Sequence, residues 1–468
     1  MIANLIRGNE DLQKYTGPLL FDNLLGRLPI FKNYYLNDGS KRSDCTPAGD
    51  VLKSICMLQA LGKTSFHDIK ELNNNTIFTA VIGRTISEET IRQHLNKIAL
   101  NESVLKDIDN AVVQLLKKAV FRRVTFYGKS YIPLDIDVTP FCNPGVQKEG
   151  IEYTYKGVDG YAPIMAYLGQ YALCFDLRPG SQHSESGAIE FLLRCLDMIK
   201  KIGLNPEDIL VRVDSAHDDA DFIKVCEKNH LNYLIKRNPR GASQKRYVEH
   251  AINNVGPSVV TEHESFRLYW FLEKDKKPTY APDSNAYCVF QVTEPFKDKN
   301  GILTHGLLRD RNPKSPRYTF GTDVPCKVQS IWTNLPRSAK DEANYGTAFA
   351  RAGFRLYNDH ATSEQYHSEL KTDMNMELLP SKYFTTNKLF LALSAIAFNV
   401  LRLIGDKAVS VDASLQHHKT KRTERIRLRT VIDKFCTIAC RVKSHARQLI
   451  LEFGRKCSYF DTFVKLYR

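Results

Sequence analysis

The sequence predicts an α/β fold, in which a core of alternating strands and helices is interrupted by a β-rich insertion and flanked by helical regions at both ends. Three observations carry that prediction. Apolar residues recur at a helical spacing to about residue 125, then switch to a two-residue alternation at Tyr131. Strand-like and helix-like stretches then alternate to about residue 240. Between Asn238 and Asn334 the helical period vanishes, and it returns at Ala339. A chain of 468 residues is too long for one compact core. These changes divide it at 1–125, 126–240, 241–335, 336–406 and 407–468.

The first region reads as helical. Val51, Leu52, Ile55, Leu58 and Leu61 mark one helix from Pro47, and Ser65 to Leu72 forms a short second one. Ser87-Glu88-Glu89-Thr90 has the form of a cap with acidic first-turn residues, opening a helix over Ile91–Ile98. Short helices followed by one bearing Arg92, Gln93, His94 and Asn96 suit a helix-turn-helix with Arg92 as a DNA contact. Any all-helical domain shares this pattern.

In the core, Ile132, Leu134, Ile136 and Val138 share one strand face, and Asp135 and Asp137 share the other. Strands follow over Ile164–Gly169 and Tyr171–Leu177, then a helix over Gly187–Lys201. The apolar strand Ile209–Val213 ends at Asp214 and leads through a helix, Asp219–Lys228, to the strand Tyr233–Lys236. Three strands, helix, strand, helix, strand is the order of an RNase H-like domain. In the insertion, Ser265–Glu273, Asn285–Val292 and Val328–Thr333 read as strands, and Ala339 to Ile404 is again helical.

Charge is uneven. Lys and Arg number 66 against 52 Asp and Glu, a net +14, and the residues from Gln416 onward contribute +10 of it. Such excess favours polyanions, since neutralising phosphates releases counterions. In the dense run Lys419–Arg429 the charges interleave with apolar Ile426 and Leu428, and Val431, Ile432 and Phe435 follow. The pattern predicts an amphipathic helix docked on the core with Lys421, Arg422 and Arg425 facing DNA. A solvated helix face is the bland alternative. Eleven cysteines form no CxxC pair, which predicts reduced thiols in a cytoplasmic protein and no zinc site. The start of the chain does not read as a signal peptide. Leu389–Ile404, broken by Asn399 and Arg402, is too short to span a bilayer and reads as a buried helix, so no membrane partner is expected.

Asp137 and Asp214 each lie at a strand end, where ligands collect in open α/β sheets. An Asp at a strand end also serves often as the cap of the next turn. Tyr357, His360, Glu364 and Lys371, spaced 3, 4 and 7, fall within an arc of about 60° on one helix face. Convergent carboxylates of this kind can hold two divalent ions about 3.5–4 Å apart for phosphodiester chemistry. A solvated polar stripe, with Glu369 and Asp373 nearby, has the same spacing.

Tyr357-x2-His360-x3-Glu364-x6-Lys371 resembles the Tyr-x2-Arg-x3-Glu-x6-Lys signature of DDE transposases of the insertion-sequence-four superfamily. Leu134–Thr139, Gly160-Tyr161-x-Pro163, Leu177–Gly180 and Arg212–Ser215 are similar to blocks of its thirteen-eighty family, and the resemblance runs from about Tyr131 to Asn399. It implies Asp137, Asp214 and Glu364 as catalytic ligands of two Mg²⁺ or Mn²⁺ ions, with Lys371 and Tyr357 on the DNA strand near the cleaved end. His360 replaces the signature Arg, losing its bidentate fork and much of its charge. Asp135 competes with Asp137 for the first-ligand role, and Asp137 is preferred because it stands directly before Val-Thr. Similar enzymes hold a displaced base on an aromatic of the insertion. Trp270 is a candidate, although core packing is the commoner fate of such a residue.

The implied function is bacterial cut-and-paste transposition near the nucleoid, on terminal inverted repeats and target DNA, by a homodimer on DNA. The rivals are a metal-dependent nuclease of the same fold without strand transfer and a non-catalytic DNA-binding regulator.

Overall fold

The computed structural model describes residues 10–32, 46–101, 103–240, 243–257, 259–260, 266–295, 318–319, 325–415, 417–418, 421–422, 425–445 and 448–468. The helices used below are α1 (Gly17–Leu25), α2 (Ala48–Ala60), α3 (Glu88–Ile98), α4 (Val104–Leu116), α5 (Ala188–Ile202), α6 (Ala220–Lys228), α7 (Thr347–Asn358), α8 (Ala361–Ser368) and α9 (Phe384–Val411). The strands of the main sheet are β1 (Val124–Phe126), β2 (Lys129–Val138), β3 (Ile164–Leu168), β4 (Tyr171–Asp176), β5 (Ile209–Val213), β6 (Asn232–Lys236), β7 (Phe266–Glu273), β8 (Tyr287–Pro295) and β9 (Pro325–Thr333).

The sheet order is β7-β8-β9-β6-β5-β2-β3-β4, with β1 paired to β2 and Val259–Val260 beyond β7. β2, β3 and β4 form an antiparallel meander. After α5, β5 returns parallel to β2, and after α6, β6 lies parallel to β5. The positions of β2 to β6 and of α5 and α6 match the sequence reading to within two residues, whereas β8 and β9 each run three residues beyond one expected end and β1 was not expected. The alternation in β2 does not produce one wet face, because both faces are covered and even Asp135 is 1% exposed.

The strands expected in a separate insertion instead extend this sheet. β9 hydrogen-bonds antiparallel to β6 from Leu234↔Thr333 to Lys236↔Ile331, and β7 and β8 continue outward. A short helix, Lys245–His250, with a π-turn over Ala251–Val255, stands where no helical period was expected. It buries only Tyr247, Val248 and Ala251, too few residues to register as a period, and Tyr247 stacks on Phe290 at 4.2 Å.

α9 is the central beam. It is long and apolar enough to cross a membrane, yet 89% of its apolar window is buried inside the protein. It packs against β4, α2 and α4, so the N-terminal helices sit directly on the sheet-bearing core. Its two polar interruptions have defined partners. Asn399 donates to the Ala172 carbonyl (2.7 Å) and accepts from the Ala172 N–H (2.9 Å), satisfying the free edge of β4. Buried Arg402 pairs with Glu369 (2.5 Å) and donates to the Ile426 carbonyl (2.9 Å).

The C-terminal region departs from the expected amphipathic helix. Ile426, Leu428, Val431, Ile432 and Phe435 are buried as expected. The helix itself is one turn, Leu428–Val431, followed by a π-turn to Cys436. An antiparallel pair, Cys440–His445 and Gln448–Phe453, then joins Leu12–Gln13, so the two ends of the chain share a small sheet. Cys440 and Val442 bury one face of it against Ile77, a two-residue period rather than a helical one.

Removing one member of a buried ion pair leaves the other charge uncompensated. Arg402→Met is therefore expected to lower unfolding free energy by about 3–5 kcal/mol in urea denaturation. A loss under about 1 kcal/mol would show that Arg425 alone satisfies Glu369.

Candidate functional site

The register between β2 and β5 brings two acids together. The last paired residues are Asp135 and Arg212. Two residues further along the same parallel strands stand Asp137 and Asp214, on the same faces as their predecessors. Asp137 is 30% exposed and Asp214 49% exposed at the side chain. Burial raises the Asp137 carboxyl above the usual carboxylate range, and the negative charge of Asp214 adds to the rise against the opposing effect of His360. Asp214 is held below its ordinary range: burial opposes this, but His217 and the Ala216 N–H outweigh it.

Each acid commits one oxygen locally. Asp137 Oδ1 accepts from the Val138 N–H at 2.8 Å. Asp214 Oδ1 accepts from the Ala216 N–H at 3.0 Å and lies 3.0 Å from His217 Nδ1. Asp214 is thus also a cap, as the bland reading had it. Its use of one oxygen leaves Oδ2 for another partner.

Asp135 and Asp137 play different parts. Asp135 receives both nitrogens of the Arg212 fork, at 2.6 and 2.7 Å, and His360 Nδ1 stands 2.8 Å from Oδ1. Burial would raise its pKa, but Arg212 and His360 hold it down to about 2. Its oxygens are spent inside the protein. Of the two competitors, Asp137 is the open carboxylate.

Arg212 also shapes the helical segment that follows. Its Nη1 donates to the Leu356 carbonyl (2.8 Å) and to Asp359 (2.8 Å), and Asp359 is further held by both nitrogens of the Arg122 fork, at 3.0 and 2.7 Å. With the Leu356 carbonyl so occupied, His360, Thr362 and Ser363 bond three residues back. The single helix expected for the Tyr357–Lys371 stripe is therefore broken into α7 and α8, and a π-turn over Glu369–Asp373 carries Lys371.

Tyr357, His360 and Lys371 nonetheless remain near the acids. Burial raises the Tyr357 hydroxyl pKa, and the charges of Asp214 and Asp137 raise it further. Glu364 is exposed on α8, four residues after His360 and three before His367. His360 touches Asp135, and His367 Nε2 lies 3.5 Å from Asp137 Oδ2 without a hydrogen bond. Helical spacing puts Glu364 on the face between those two contacts. Burial and neighbouring Lys371 push the His367 ring down to about 3, so it is neutral. Lys371 donates to the Pro140 carbonyl at 2.6 Å, and burial lowers its pKa.

Hard carboxylate oxygens from two like-charged aspartates, with a third carboxylate on the facing helix, are the donor chemistry that suits a divalent cation. Among the described residues, no three His, Cys, Asp or Glu side chains already enclose an ion site.

Other candidate DNA contacts fall elsewhere. Arg92 is exposed on α3 but forked to Glu89 at 2.8 and 2.5 Å, and it lines a separate cleft with Lys148 and Tyr383. On the same helix Asn96 accepts from Thr386 of α9 at 2.7 Å, so part of this face is docked rather than free. Arg425 corrects the outward-facing expectation. It binds Glu369 and Gln365, both at 2.6 Å, because the acids of the preceding helical segment are buried and need partners. Arg427 meets Asp373 in the same way at 2.8 Å. The side chains of Lys421 and Arg422 lie outside the described residues. Trp270 is buried in the core, donates to Gln291 at 3.1 Å and sits under Arg351, so its ring is not free to hold a base.

Arg212, His217 and His367 were missed from sequence. A charged residue inside the apolar strand Ile209–Val213 was the available signal for the first, and spacing by three from Asp214 and Glu364 for the others.

Comparison with known proteins gives one family. No curated protein matches the chain. Among solved structures, it is similar to the cryo-EM structure of a piggyBac transposase synaptic complex with hairpin DNA, at 10% identity and a TM-score of 0.42, covering 89% of this chain and 78% of that one. The family model described as transposase DDE domain group 1 matches residues 31–269, a span that includes Asp137 and Asp214 and stops before Glu364. As that match takes in just over half of the residues, the chain belongs to the group 1 DDE transposase family.

Proposed function

We propose that this transposase cuts DNA at the ends of its element and joins the freed 3′-hydroxyl to target DNA, with Asp137, Asp214 and Glu364 as the metal-binding triad. The observation that carries the reading is the pairing register that sets Asp137 beside Asp214 at the carboxyl ends of parallel strands. The topology around them, a three-stranded meander followed by two parallel strands, supports an RNase H-like core. The Tyr357–Lys371 spacing supports a place in the insertion-sequence-four superfamily and its thirteen-eighty family.

Two Mg²⁺ or Mn²⁺ ions held there would supply Lewis acidity for the attacking hydroxyl and the leaving oxygen. The chain's own groups would do the rest. Asp137 and Asp214 present their second oxygens, and Glu364 closes from α8. Lys371 supplies positive charge beside Asp137, and Tyr357 helps position the strand. Net charge of +14 favours the DNA itself. Joining two ends calls for a dimer on terminal inverted repeats.

Asp214→Asn and Glu364→Gln are expected to bind DNA carrying the element's own ends as the wild type does, while Mg²⁺- or Mn²⁺-dependent cleavage falls to background. Normal cutting by either variant would sink the triad. Pre-cut ends offered with a target plasmid separate strand transfer from simple nuclease action.

The two strand aspartates also separate by stability. Asp135→Asn breaks a buried ion pair and is expected to cost about 3–5 kcal/mol. Asp137→Asn relieves repulsion from Asp214 and is expected to cost less than about 1 kcal/mol while abolishing cleavage. Equal losses in chemical denaturation would reverse the assignment of roles.

A further inference from the structure

A hairpin stands beside the acids. Glu152–Tyr153 and Asp159–Tyr161 pair antiparallel, and Phe141–Cys142 pairs to the second of them. The turn is closed by Gly157 N–H to the Thr154 carbonyl and by Thr154 N–H to the Val158 carbonyl, both 2.9 Å, with Gly157 at φ +79°. Its base is fixed as well. Ser181 donates its N–H and hydroxyl to Glu152, and Tyr161 is fully buried. This is a braced element, yet Tyr153 is 68% exposed and Tyr155 63% exposed.

Tyr155 is tethered at its tip. Its hydroxyl donates to the Val138 carbonyl at 3.0 Å, one residue beyond Asp137, while most of the ring stays bare. Lys156 Nζ sits 5.9 Å from the centre of that ring, and its charge is felt at Lys371 and His367. Between the hairpin and the Asp214–His217 turn lies a cleft of about 370 Å³, lined by Tyr153, Tyr155, Gln182, His183, Asp214 and His217. That falls within the roughly 300–1,000 Å³ of small-ligand clefts, room for a base and its sugar.

We propose that Tyr155 and Tyr153 form a stacking platform for an unpaired DNA base next to the phosphodiester at the acids, with Lys156 and Lys371 drawing the adjoining phosphates. This deepens the proposed function and rests on it for the location of the cut. A rigid aromatic face flanked by cations suits a nucleotide, because every base offers a π-face and its backbone a negative charge. Paired bases hide those faces, so the platform selects an unpaired one.

The test uses the full-length protein in EDTA with two probes: a fluorescein-labelled twelve-residue oligothymidine carrying one central 2-aminopurine, and the matching duplex. Changing both tyrosines to Leu (Y153L with Y155L) is expected to weaken single-strand binding about tenfold and the duplex by less than about twofold, with loss of 2-aminopurine quenching. Changing both to Trp is expected to restore affinity and quenching, which excludes misfolding as the cause. Wild-type single-strand affinity in the Leu variant overturns the platform, as does an equal loss on duplex. So does a change in sedimentation without either loss, which would mark the tyrosines as a contact between copies. Mn²⁺-dependent plasmid nicking by wild type and Asp214→Asn reads the acids separately. Nicking lost only in Asp214→Asn, with binding indifferent to the tyrosines, sinks the platform alone. Nicking indifferent to Asp214, with tyrosine-dependent stacking intact, upholds the platform and sinks the triad.

Discussion

Arg212 is the constraint on which the site depends. A guanidinium at the centre of a buried strand must satisfy its donors within the protein, since a buried charge left unpaired is strongly destabilising. Arg212 does so by reaching three elements: Asp135 on the neighbouring strand, the Leu356 carbonyl at the end of α7, and Asp359 in the turn that follows. Because Asp135 faces Arg212 in register, Asp137 and Asp214 are left facing each other one strand repeat later. Because the Leu356 carbonyl is taken, the helix breaks there and α8 starts afresh, between the contacts of His360 with Asp135 and of His367 with Asp137. One side chain thus fixes both the pairing of the two strand aspartates and the point at which the helix bearing Glu364 begins.

The other end of that helix is fixed in the same currency. Glu369 and Asp373 are buried directly after α8, and they are neutralised by Arg402 from the central beam and by Arg425 and Arg427 from the C-terminal arm. Basic residues that would otherwise have made a free DNA-binding face are therefore consumed in holding the Glu364 segment down. The arm's apolar residues Ile426, Leu428 and Val431 are buried beside these ion pairs; the Arg402–Glu369 pair lies out of water, which strengthens it, while Arg427 stays half exposed.

What could be read from sequence was whatever depends on local order. The strand–helix succession from Tyr131 to Lys236, the buried apolar stretch around Leu389–Ile404 and the cap at Ser87 depend on neighbours within a turn or two, and they appear where expected. What could not be read depends on partners far away. Asp135 and Asp137 share a face and look alike until Arg212, 77 residues from Asp135, claims one of them. The run Lys419–Arg429 looks solvated because its acids lie more than fifty residues upstream. The insertion looked separate because only hydrogen bonds between β6 and β9, across about a hundred residues, reveal that it continues the sheet.

The same logic explains why the acids stay open while so many other charges are closed. Asp135, Glu369 and Asp373 each have an arginine from another element. Asp137 and Asp214 have only histidines and backbone N–H groups, weaker partners that leave an oxygen of each aspartate uncommitted. An arginine fork at either position would lower its pKa as at Asp135 and close the coordination sites a cation needs. The chain instead places its strong bases one residue pair behind the acids, at Arg212, and leaves two carboxylates repelling each other at the strand ends. A fold tolerates that repulsion where something outside the chain relieves it, and hard divalent cations do so most directly.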